Sequence, residues 1–361
     1  QHYAQTDERG KYLLFADGPH LGFVTRGAKS LTFAINDADP TDPYARFYSG
    51  TVVDTINALA LPRYGLGNYV ANKPKSPPTP HQANVIDGLS RAGTRLMGFC
   101  RTNLFKRLES AGPAFLLSIE RHILRNFIVL HAIENGLDIP LGTQAAELLD
   151  TRLHDEDPDD SMPGELDEDE VDDDPEVTAS VTTGLRTEQA FRDRAAKAYT
   201  AYAGPFKKRF KWLPSSLFMP DLPKHLFDDA AALMGVLKHC GDWLPARDAK
   251  LAELAKLIKT SHPKEKVLVF TQFADTARYI KTRLVAMGVT QIEDATGSSA
   301  DPTSLAWRFS PESNKKLDTV APGEALRVLI ATDLLSEGQN LQDAHIVVNY
   351  DLPWAIIRLI Q

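Results

Sequence analysis

Three short apolar runs, each ending in polar residues, dominate the last quarter of the chain. They are KVLVFTQF at 266–273, RVLIATD at 327–333 and IVVNYD at 346–351. Apolar runs of this length, without alternation, are typical of buried parallel strands. We therefore predict an α/β domain with a parallel sheet over about 262–361, whose carboxyl strand ends carry a site.

Apolar residues at three- and four-residue spacing precede this domain and predict helices. One such pattern runs over 104–130, with Pro113 near its start and Gly136 past its end. This combination predicts an amphipathic helix with a defined beginning and end. Similar patterns predict helices from about 187 to 203 and from about 245 to 260. The chain before the sheet is therefore expected to be mostly helical.

An acidic segment separates the predicted helices. Residues 155–176 contain 14 acidic residues and no Lys or Arg, so the segment repels itself and should be a solvated linker. A regulatory role, in which it covers a basic surface, is the alternative.

The patterns together divide the chain into five predicted regions. They are 1–100, without an assigned role beyond an interlobe or accessory one; 101–145, helical; 146–185, an acidic flexible linker; 186–261, helical; and 262–361, the sheet domain.

The charge balance depends on that acidic segment. The whole chain has 48 acidic and 40 basic residues, a net charge of −8. Removing the 14 acidic residues of 155–176 leaves 34 acidic residues against 40 basic ones. The rest of the chain is therefore slightly basic, and a nucleic-acid partner is not excluded.

Metal, disulfide and membrane functions find no support in the sequence. Cys100 and Cys240 lie far apart with no Cys-x-x-Cys spacing, so we expect neither a disulfide framework nor a zinc ribbon. The histidines form no His-x-x-x-His pair, and no Gly-x-Ser-x-Gly elbow occurs. No run approaches the ~18–20 apolar residues of a membrane helix. We expect a cytoplasmic protein with no metal site in this chain.

The order of the apolar runs and of the residues after them resembles the second motor lobe of a superfamily-two helicase of the Swi/Snf-like branch. KVLVFTQF at 266–273 is similar to motif IV, and Thr296 and Gly297, with Arg308 and Phe309 downstream, resemble the pattern that follows it. ATD at 331–333 through SEGQNL at 336–341 resembles motif V. YDLPW at 350–354 resembles the segment that leads into motif VI. FKRLES at 105–110 resembles a segment found between the two motor lobes.

This resemblance implies a RecA-like lobe from an ATP-dependent double-stranded-DNA translocase. The implied cofactors are ATP and Mg²⁺, held mainly by a first lobe that this chain lacks, so the chain alone is expected to be inactive. Gln361 is expected to begin motif VI, whose arginines would follow it. The implied partners are duplex DNA, the first motor lobe and other subunits of a repair or phage-defence complex, without a membrane.

Other readings of the sheet domain stay open. A degenerate motor lobe would be a non-catalytic nucleic-acid-binding or scaffold module. A different nucleotide-binding α/β enzyme is a more distant alternative, because the strand endings are not unique to helicases. The segment Gly27–Ser30 partly resembles a phosphate loop. In a phosphate loop Gly directly precedes Lys, whereas here Ala28 precedes it. We expect no phosphate loop in this chain.

The resemblance nominates two sets of site residues. The nucleotide-binding or interlobe set is Glu337, Gly338, Asn340 and Gln361; a turn glycine at 338 and a turn-capping Asn340 are the alternatives. The nucleic-acid-binding set follows the strands, where hydroxyls and backbone amides would grip phosphates. It comprises Thr271, Gln272, Thr296, Gly297 and Thr332, with Arg308 expected on the same face. Capping of the strand ends, and an interlobe ion pair for Arg308, are the alternatives.

A basic segment adds a third group of candidates. FKKRFKW at 206–212 interleaves cations with aromatic residues, a composition that suits a phosphate backbone with some base stacking. It nominates Lys207, Lys208 and Lys211 for nucleic-acid binding. Surface lysines of a helix beside core aromatics are the alternative.

Overall fold

The computed structural model describes residues 3–7, 10–14, 20–22, 27–74, 76–141, 184–297, 299, 301–332 and 340–352. The acidic segment 155–176 lies outside the described residues, and so do Glu337, Gly338 and Gln361. The chain divides into two compact units, Gln1–Ala34 and Ile35–Gln361.

The first unit contains three short strands. They are β1 (Tyr3–Asp7), β2 (Gly10–Leu14) and β3 (His20–Gly22). The strands pair antiparallel in the order β1-β2-β3. These strands were not predicted from the sequence, because strands this short carry little periodic signal.

The second unit begins with a helical region. Its helices are α1 (Pro43–Phe47), α2 (Gly50–Ala58), α3 (Pro80–Ser110), α4 (Gly112–Glu134), α5 (Glu188–Ala203) and α6 (Asp221–Cys240). The central helix is α4, which packs against α3, α5 and α6. Apolar and polar residues of α4 alike are buried around most of its circumference, as expected for a helix enclosed by others.

The helical region also contains a small antiparallel pair of strands. The strand β4 (Asp138–Leu141) follows α4 and pairs with β5 (Lys211–Pro214). The basic segment at 206–212 thus forms a 3₁₀ turn (Lys207–Arg209) and the start of β5. Lys207 and Lys208 therefore lie in a short helical turn, and Lys211 lies in a strand.

The third part of the unit is a parallel sheet flanked by helices. Its elements are α7 (Ala249–Lys256), β6 (Val267–Phe270), α8 (Ala274–Ala286), β7 (Ile292–Ala295), α9 (Pro302–Phe309), β8 (Val328–Ala331) and β9 (Ile346–Asn349). Four strands pair in the order β7-β8-β6-β9, all parallel. The predicted α/β class is confirmed, and the topology is consistent with a RecA-like lobe.

The two central strands form the core of the sheet domain. All four residues of β8 are buried, and Leu268 of β6 packs in one cluster with Leu329 and Ala331. Phe309, at the end of α9, covers this cluster from one face. The apolar runs at 266–273 and 327–333 therefore mark strands buried on both faces. The run at 346–351 was also predicted as a buried strand, but it forms the edge strand β9, whose Val347 is 56% exposed.

The single helix predicted over 104–130 is two helices. Ala111 has an extended backbone, with φ −157° and ψ 143°, and separates α3 from α4. Pro113 lies in the first turn of α4, where its missing N–H leaves no hydrogen bond unmade. The prediction was wrong here because the apolar spacing continues across the break.

The other predicted helices appear with altered ends. The helix predicted at 187–203 is confirmed as α5, with Thr187 as its cap. The helix predicted at 245–260 begins as a 3₁₀ turn (Pro245–Arg247), continues as α7 and ends in a π-helical turn (Leu257–Ser261). Asp248 caps α7 by accepting a hydrogen bond from the N–H of Leu251.

Within the described part of the chain, no helix combines the length and apolar character needed to cross a bilayer. Cys100 and Cys240 are both buried, and neither takes part in a disulfide.

Candidate functional site

The residues that follow the four parallel strands lie at one edge of the sheet. Thr271 follows β6, Thr296 follows β7, Thr332 follows β8 and Tyr350 follows β9. The N–H of Tyr350 donates to the carbonyl of Phe270 at 2.8 Å, so the backbone pairing continues past β9. Ligands of open α/β sheets bind outside the carboxyl ends of their strands. This edge is the candidate site.

A buried carboxylate organises one half of that edge. Asp351 is 6% exposed, and its Oδ2 accepts hydrogen bonds from the hydroxyls of Ser110 and Thr271, the latter at 2.6 Å. Its Oδ1 accepts from the backbone N–H of Gln272 at 2.9 Å. The Ser110 hydroxyl also lies 2.8 Å from that of Thr276. Asp351 thus ties the end of β9 to the end of β6 and to α3.

A partly buried ammonium group lies near this carboxylate. Lys250 Nζ donates to the carbonyls of Glu109 and Ser110 at 2.8 and 2.9 Å, and lies 4.1 Å from the ring centroid of Tyr350. Burial lowers the pKa of Lys250, with Asp351 opposing the shift. Burial raises the pKa of Asp351, against the effect of its hydroxyl donors and of Lys250. Each group favours the charged form of the other.

The segment Lys106–Ser110 docks the end of α3 onto this edge. Lys106 Nζ donates to the carbonyl of Leu352 at 3.1 Å, and the side-chain amide of Gln272 donates to the same carbonyl at 2.7 Å. Arg107 Nη1 donates to Asp275 Oδ2 at 2.7 Å. We call these five residues the docking segment. The helical region and the sheet domain meet through it.

Thr271 and Gln272, nominated for nucleic-acid binding, are both 3% exposed. The Thr271 hydroxyl is engaged by Asp351, and the Gln272 amide nitrogen by Leu352. This is the strand-end capping that the sequence left open as the alternative. A nucleic-acid contact by these two residues stays a prediction.

Thr296, Gly297 and Thr332 lie at the same edge on the neighbouring strands. Thr296 is 2% exposed and Thr332 7% exposed, whereas Gly297 is exposed. The N–H of Thr296 donates to the hydroxyl of Ser299 at 2.9 Å, which closes a tight turn. Among these three residues, Gly297 is therefore the one whose backbone is accessible to a ligand.

Asn340 is held by internal hydrogen bonds. Its Nδ2 donates to the carbonyl of Ser313 at 2.9 Å, and its Oδ1 accepts from the N–H of Gln342 at 3.2 Å. Its own carbonyl accepts from Asn314 at 2.8 Å. This geometry is the turn-capping alternative, and a role of Asn340 toward a nucleotide stays a prediction. Its partners in the nucleotide set lie outside the described residues.

Arg308 is not on the same face as the three strand-end threonines, and that expectation is corrected. Its carbonyl accepts from the N–H of Leu326 at 2.9 Å, just before β8 begins. Its Nε donates to the carbonyl of Glu324 at 3.0 Å, and Nη1 lies 4.0 Å from Glu293. The helix α9 runs antiparallel to the strands, so its last turn reaches the amino edge of the sheet.

The basic segment belongs to the helical region. Its nominated lysines are exposed: Lys207, Lys208 and Lys211. Phe210 is buried and stacks on Tyr202 with ring centroids 4.4 Å apart. Trp212 donates from Nε1 to the carbonyl of Lys207 at 3.0 Å. The aromatics are used for packing, which leaves the cations as the groups available to phosphates.

Sequence reasoning missed the roles of Ser110, Asp351 and Lys250. Ser110 and Asp351 both stood in segments already singled out, FKRLES and YDLPW. They are 241 positions apart, so only the fold shows that they meet. Lys250 carries no local signal, because a lysine in the first turn of a helix is common on surfaces.

The implied ATP and Mg²⁺ find no complete set of ligands among the described residues. In that part of the chain, no three His, Cys, Asp or Glu side chains are grouped so as to hold a metal ion. Asn340 is committed to Ser313. How ATP and Mg²⁺ bind therefore stays a prediction.

Comparison with known proteins identifies the sheet domain. Residues 249–361 match the model of the helicase conserved C-terminal domain. The chain carries a helicase C-terminal domain. This domain runs from α7 through the sheet and contains Lys250, Thr271 and Asp351, whereas the docking segment precedes it.

A curated relative supports the same assignment of the helicase C-terminal domain. The chain is 31% identical over 117 residues to "Uncharacterized ATP-dependent helicase YqhH" of Bacillus subtilis (strain 168). The alignment covers 32% of this chain and 18% of that relative, so the chain spans a small part of the relative's length. No solved structure matches the chain.

Proposed function

We propose that this chain is the second motor lobe, with its attached helical region, of an ATP-dependent translocase on double-stranded DNA. The helicase C-terminal domain supports a helicase-like ATPase. In the proposal, a first lobe supplies most of the ATP and Mg²⁺ ligands. The second lobe closes on the nucleotide and grips the nucleic-acid backbone, because phosphoryl transfer depends mainly on positioning and charge stabilisation.

One observation carries the Swi/Snf-like part of the proposal. The docking segment, which resembles a segment between the two lobes of such proteins, contacts the strand ends of the helicase C-terminal domain through Ser110 and Lys106. A helical region joined to the lobe in this way would move with it during an ATP cycle. We further propose a cytoplasmic protein that works in repair or phage defence, together with other subunits.

The proposed nucleic-acid surface is the carboxyl edge of the sheet. Gly297 offers exposed backbone there, and Thr271, Gln272, Thr296 and Thr332 form the edge behind it. Contacts of this kind position a duplex without reading its bases. Motion along a duplex without strand separation is the corresponding activity.

A non-catalytic binding or scaffold module is the second candidate. It is favoured by the internal engagement of Asn340, whose amide donates to Ser313 rather than facing an open site. In this case the helicase motifs would be structural, and nucleic-acid binding would not depend on ATP.

Displacement of a third strand from a DNA triplex by the full-length protein separates the two candidates. A translocase strips the third strand when ATP is present and leaves the underlying duplex intact. A binding module gives no displacement with or without ATP, although it still binds the duplex. Strand separation of the duplex itself would point to an unwinding helicase instead.

A further inference from the structure

The end of α3 is fixed to the sheet domain by a buried cluster that the sequence motifs do not explain. Ser110, the last residue of α3, is fully buried. Its hydroxyl donates to Asp351 Oδ2, lies 2.8 Å from the Thr276 hydroxyl and lies 3.4 Å from that of Thr271. One side chain of the helical region thus reaches three side chains of the helicase C-terminal domain.

The backbone of the same residues is held independently by a cation. Lys250 Nζ donates to the carbonyls of Glu109 and Ser110 at 2.8 and 2.9 Å. The last carbonyls of a helix lack partners within the helix and carry partial negative charge. Lys250 satisfies two of them, so removal of the Ser110 hydroxyl leaves the end of α3 in place.

The docking segment shares its acceptor groups with two hydrogen bonds of Gln272. The backbone N–H of Gln272 donates to Asp351 Oδ1, and Ser110 donates to the other oxygen of that carboxylate. The side-chain amide of Gln272 donates to the carbonyl of Leu352, which also accepts from Lys106. The strand end after β6 therefore has its geometry set from α3.

We propose that Ser110 is a positioning residue that holds Thr271 and Gln272 in the geometry that grips nucleic acid. The inference rests on the function proposed above, in which these two residues belong to the nucleic-acid surface. Ser110 itself touches no nucleic acid. It fixes the orientation of the Asp351 carboxylate, and that carboxylate fixes the Thr271 hydroxyl and the Gln272 backbone.

The test compares Ser110→Ala and Ser110→Thr with wild type in the full-length protein. Ser110→Ala deletes the hydroxyl and little volume, and Ser110→Thr restores it. Tyr199→Phe is the matched control, because it deletes one hydroxyl that donates to the carbonyl of Asp138 at 2.7 Å in the helical region. Amide hydrogen exchange is measured over 268–276 and 346–352, without nucleic acid, and duplex affinity is measured on the same samples.

We expect Ser110→Ala to speed exchange at 268–276 and to raise the duplex Kd, each by about tenfold or more, the scale of one hydrogen bond to a charged group. Ser110→Thr should move both readouts back toward wild type. Tyr199→Phe should change neither of them. If loss of the Ser110 hydroxyl merely destabilised the whole protein, amide exchange would also become faster in β4 and β5.

Two results would overturn the inference. Unchanged exchange at both strand ends in Ser110→Ala would show that Ser110 does not organise them. Faster exchange with an unchanged duplex Kd would show that the organised geometry is not what grips nucleic acid. A wild-type protein without duplex affinity would instead refute the proposed function, and the exchange data would still decide whether Ser110 orders the strand ends.

Discussion

Arg107 and Asp275 form a buried ion pair between the helical region and the helicase C-terminal domain. Arg107 is 1% exposed, and its Nη1 donates to Asp275 Oδ2 at 2.7 Å. Arg121 of α4 donates to the same oxygen at 2.7 Å. The Arg107 guanidinium also lies 4.6 Å from the ring centroid of Phe273. One carboxylate in the first turn of α8 thus receives two cations from two helices.

Replacement of that carboxylate should destabilise the protein strongly. Asp275→Asn leaves two largely buried guanidinium groups without their counter-charge, so we expect a loss of about 3–5 kcal/mol in the free energy of unfolding. Urea unfolding followed by circular dichroism measures it. Asp228→Asn is the control, since that carboxylate is exposed and pairs with the exposed Lys224. A loss below about 1 kcal/mol for Asp275→Asn would contradict the account.

The same carboxylate gives a pH dependence with a defined sign. Burial opposes ionisation of Asp275, but Arg121 and Arg107 outweigh it and hold the pKa below its ordinary value of 3.8. The stability from this group is therefore present above pH 3.8 and lost as pH falls through the lowered pKa. The stability difference between wild type and Asp275→Asn should be full at pH 7 and shrink in acid. A difference that stays constant down to pH 2 would exclude the ion pair as its source.

Gly112 should tolerate no side chain. A Cβ at this position would lie 2.2 Å from the ring of Trp243, which packs edge-on against Tyr44 and Phe47. Gly112→Ala should destabilise the protein by about 1–3 kcal/mol through overpacking. Gly235→Ala in α6 is the matched control. Its Cβ would meet nothing within 4 Å, so that variant should gain about 0.5–1 kcal/mol from helix propensity. Thermal unfolding compares the two, and equal effects would argue against this packing.

Tyr279 should contribute through its hydroxyl group. The hydroxyl donates to Asp248 Oδ2 at 2.8 Å and accepts from Trp243 Nε1 at 2.9 Å. Tyr279→Phe leaves the indole N–H without that acceptor and Asp248 with one donor fewer, at an expected cost of about 1–3 kcal/mol. Tyr48→Phe is the control, because Tyr48 is 39% exposed and its hydroxyl lies 3.4 Å from the carbonyl of Leu108. Urea unfolding measures both variants, and similar losses in the free energy of unfolding would contradict the prediction.

The basic segment can be tested through salt dependence. Lys207, Lys208 and Lys211 are exposed, and each phosphate contact adds about 0.9 to the slope of log affinity against log salt for duplex DNA. A triple-alanine variant should therefore show a shallower slope than wild type. Lys224, Lys238 and Lys256, exposed lysines on other helices, provide a control triple-alanine variant. Equal slopes for wild type and the first variant would remove the basic segment from the interface.

The fold of the sheet domain was predictable where strands are buried on both faces. The strands β6 and β8 come from continuous apolar runs, so their positions follow from the sequence. The strand β7 was missed, because two of its four residues are the partly exposed acids Glu293 and Asp294. The other edge strand, β9, was found because its residues are mostly apolar.

The start of α3 was missed although the sequence carries a signal for it. Thr79 and Gln82 form a reciprocal capping box, and Pro80 occupies the first position of the helix. Thr-x-x-Gln with Pro in the first turn is a recognised helix start. The residues after this start are too polar for an apolar spacing to mark the helix. Most of α3 was therefore missed.

The sheet edge that forms the candidate site was predictable, but the contacts among its residues were not. Thr271, Thr296 and Thr332 could be placed at one edge, because each follows a strand of a parallel sheet. Their burial was not foreseen, since it depends on Asp351 and on the docking segment from a distant part of the chain. Arg308 was misplaced because the direction of α9 relative to the strands leaves no mark in the local sequence.

ATP turnover of the full-length protein, with and without duplex DNA, beside the same assay on residues 1–361, shows whether this chain belongs to a DNA-dependent motor. We predict strong stimulation by duplex in the full-length protein and no turnover by residues 1–361 alone. Absence of turnover from both, with duplex binding retained, would contradict the motor and favour a binding module. Turnover by 1–361 alone would contradict the assignment of the ATP and Mg²⁺ ligands to another lobe.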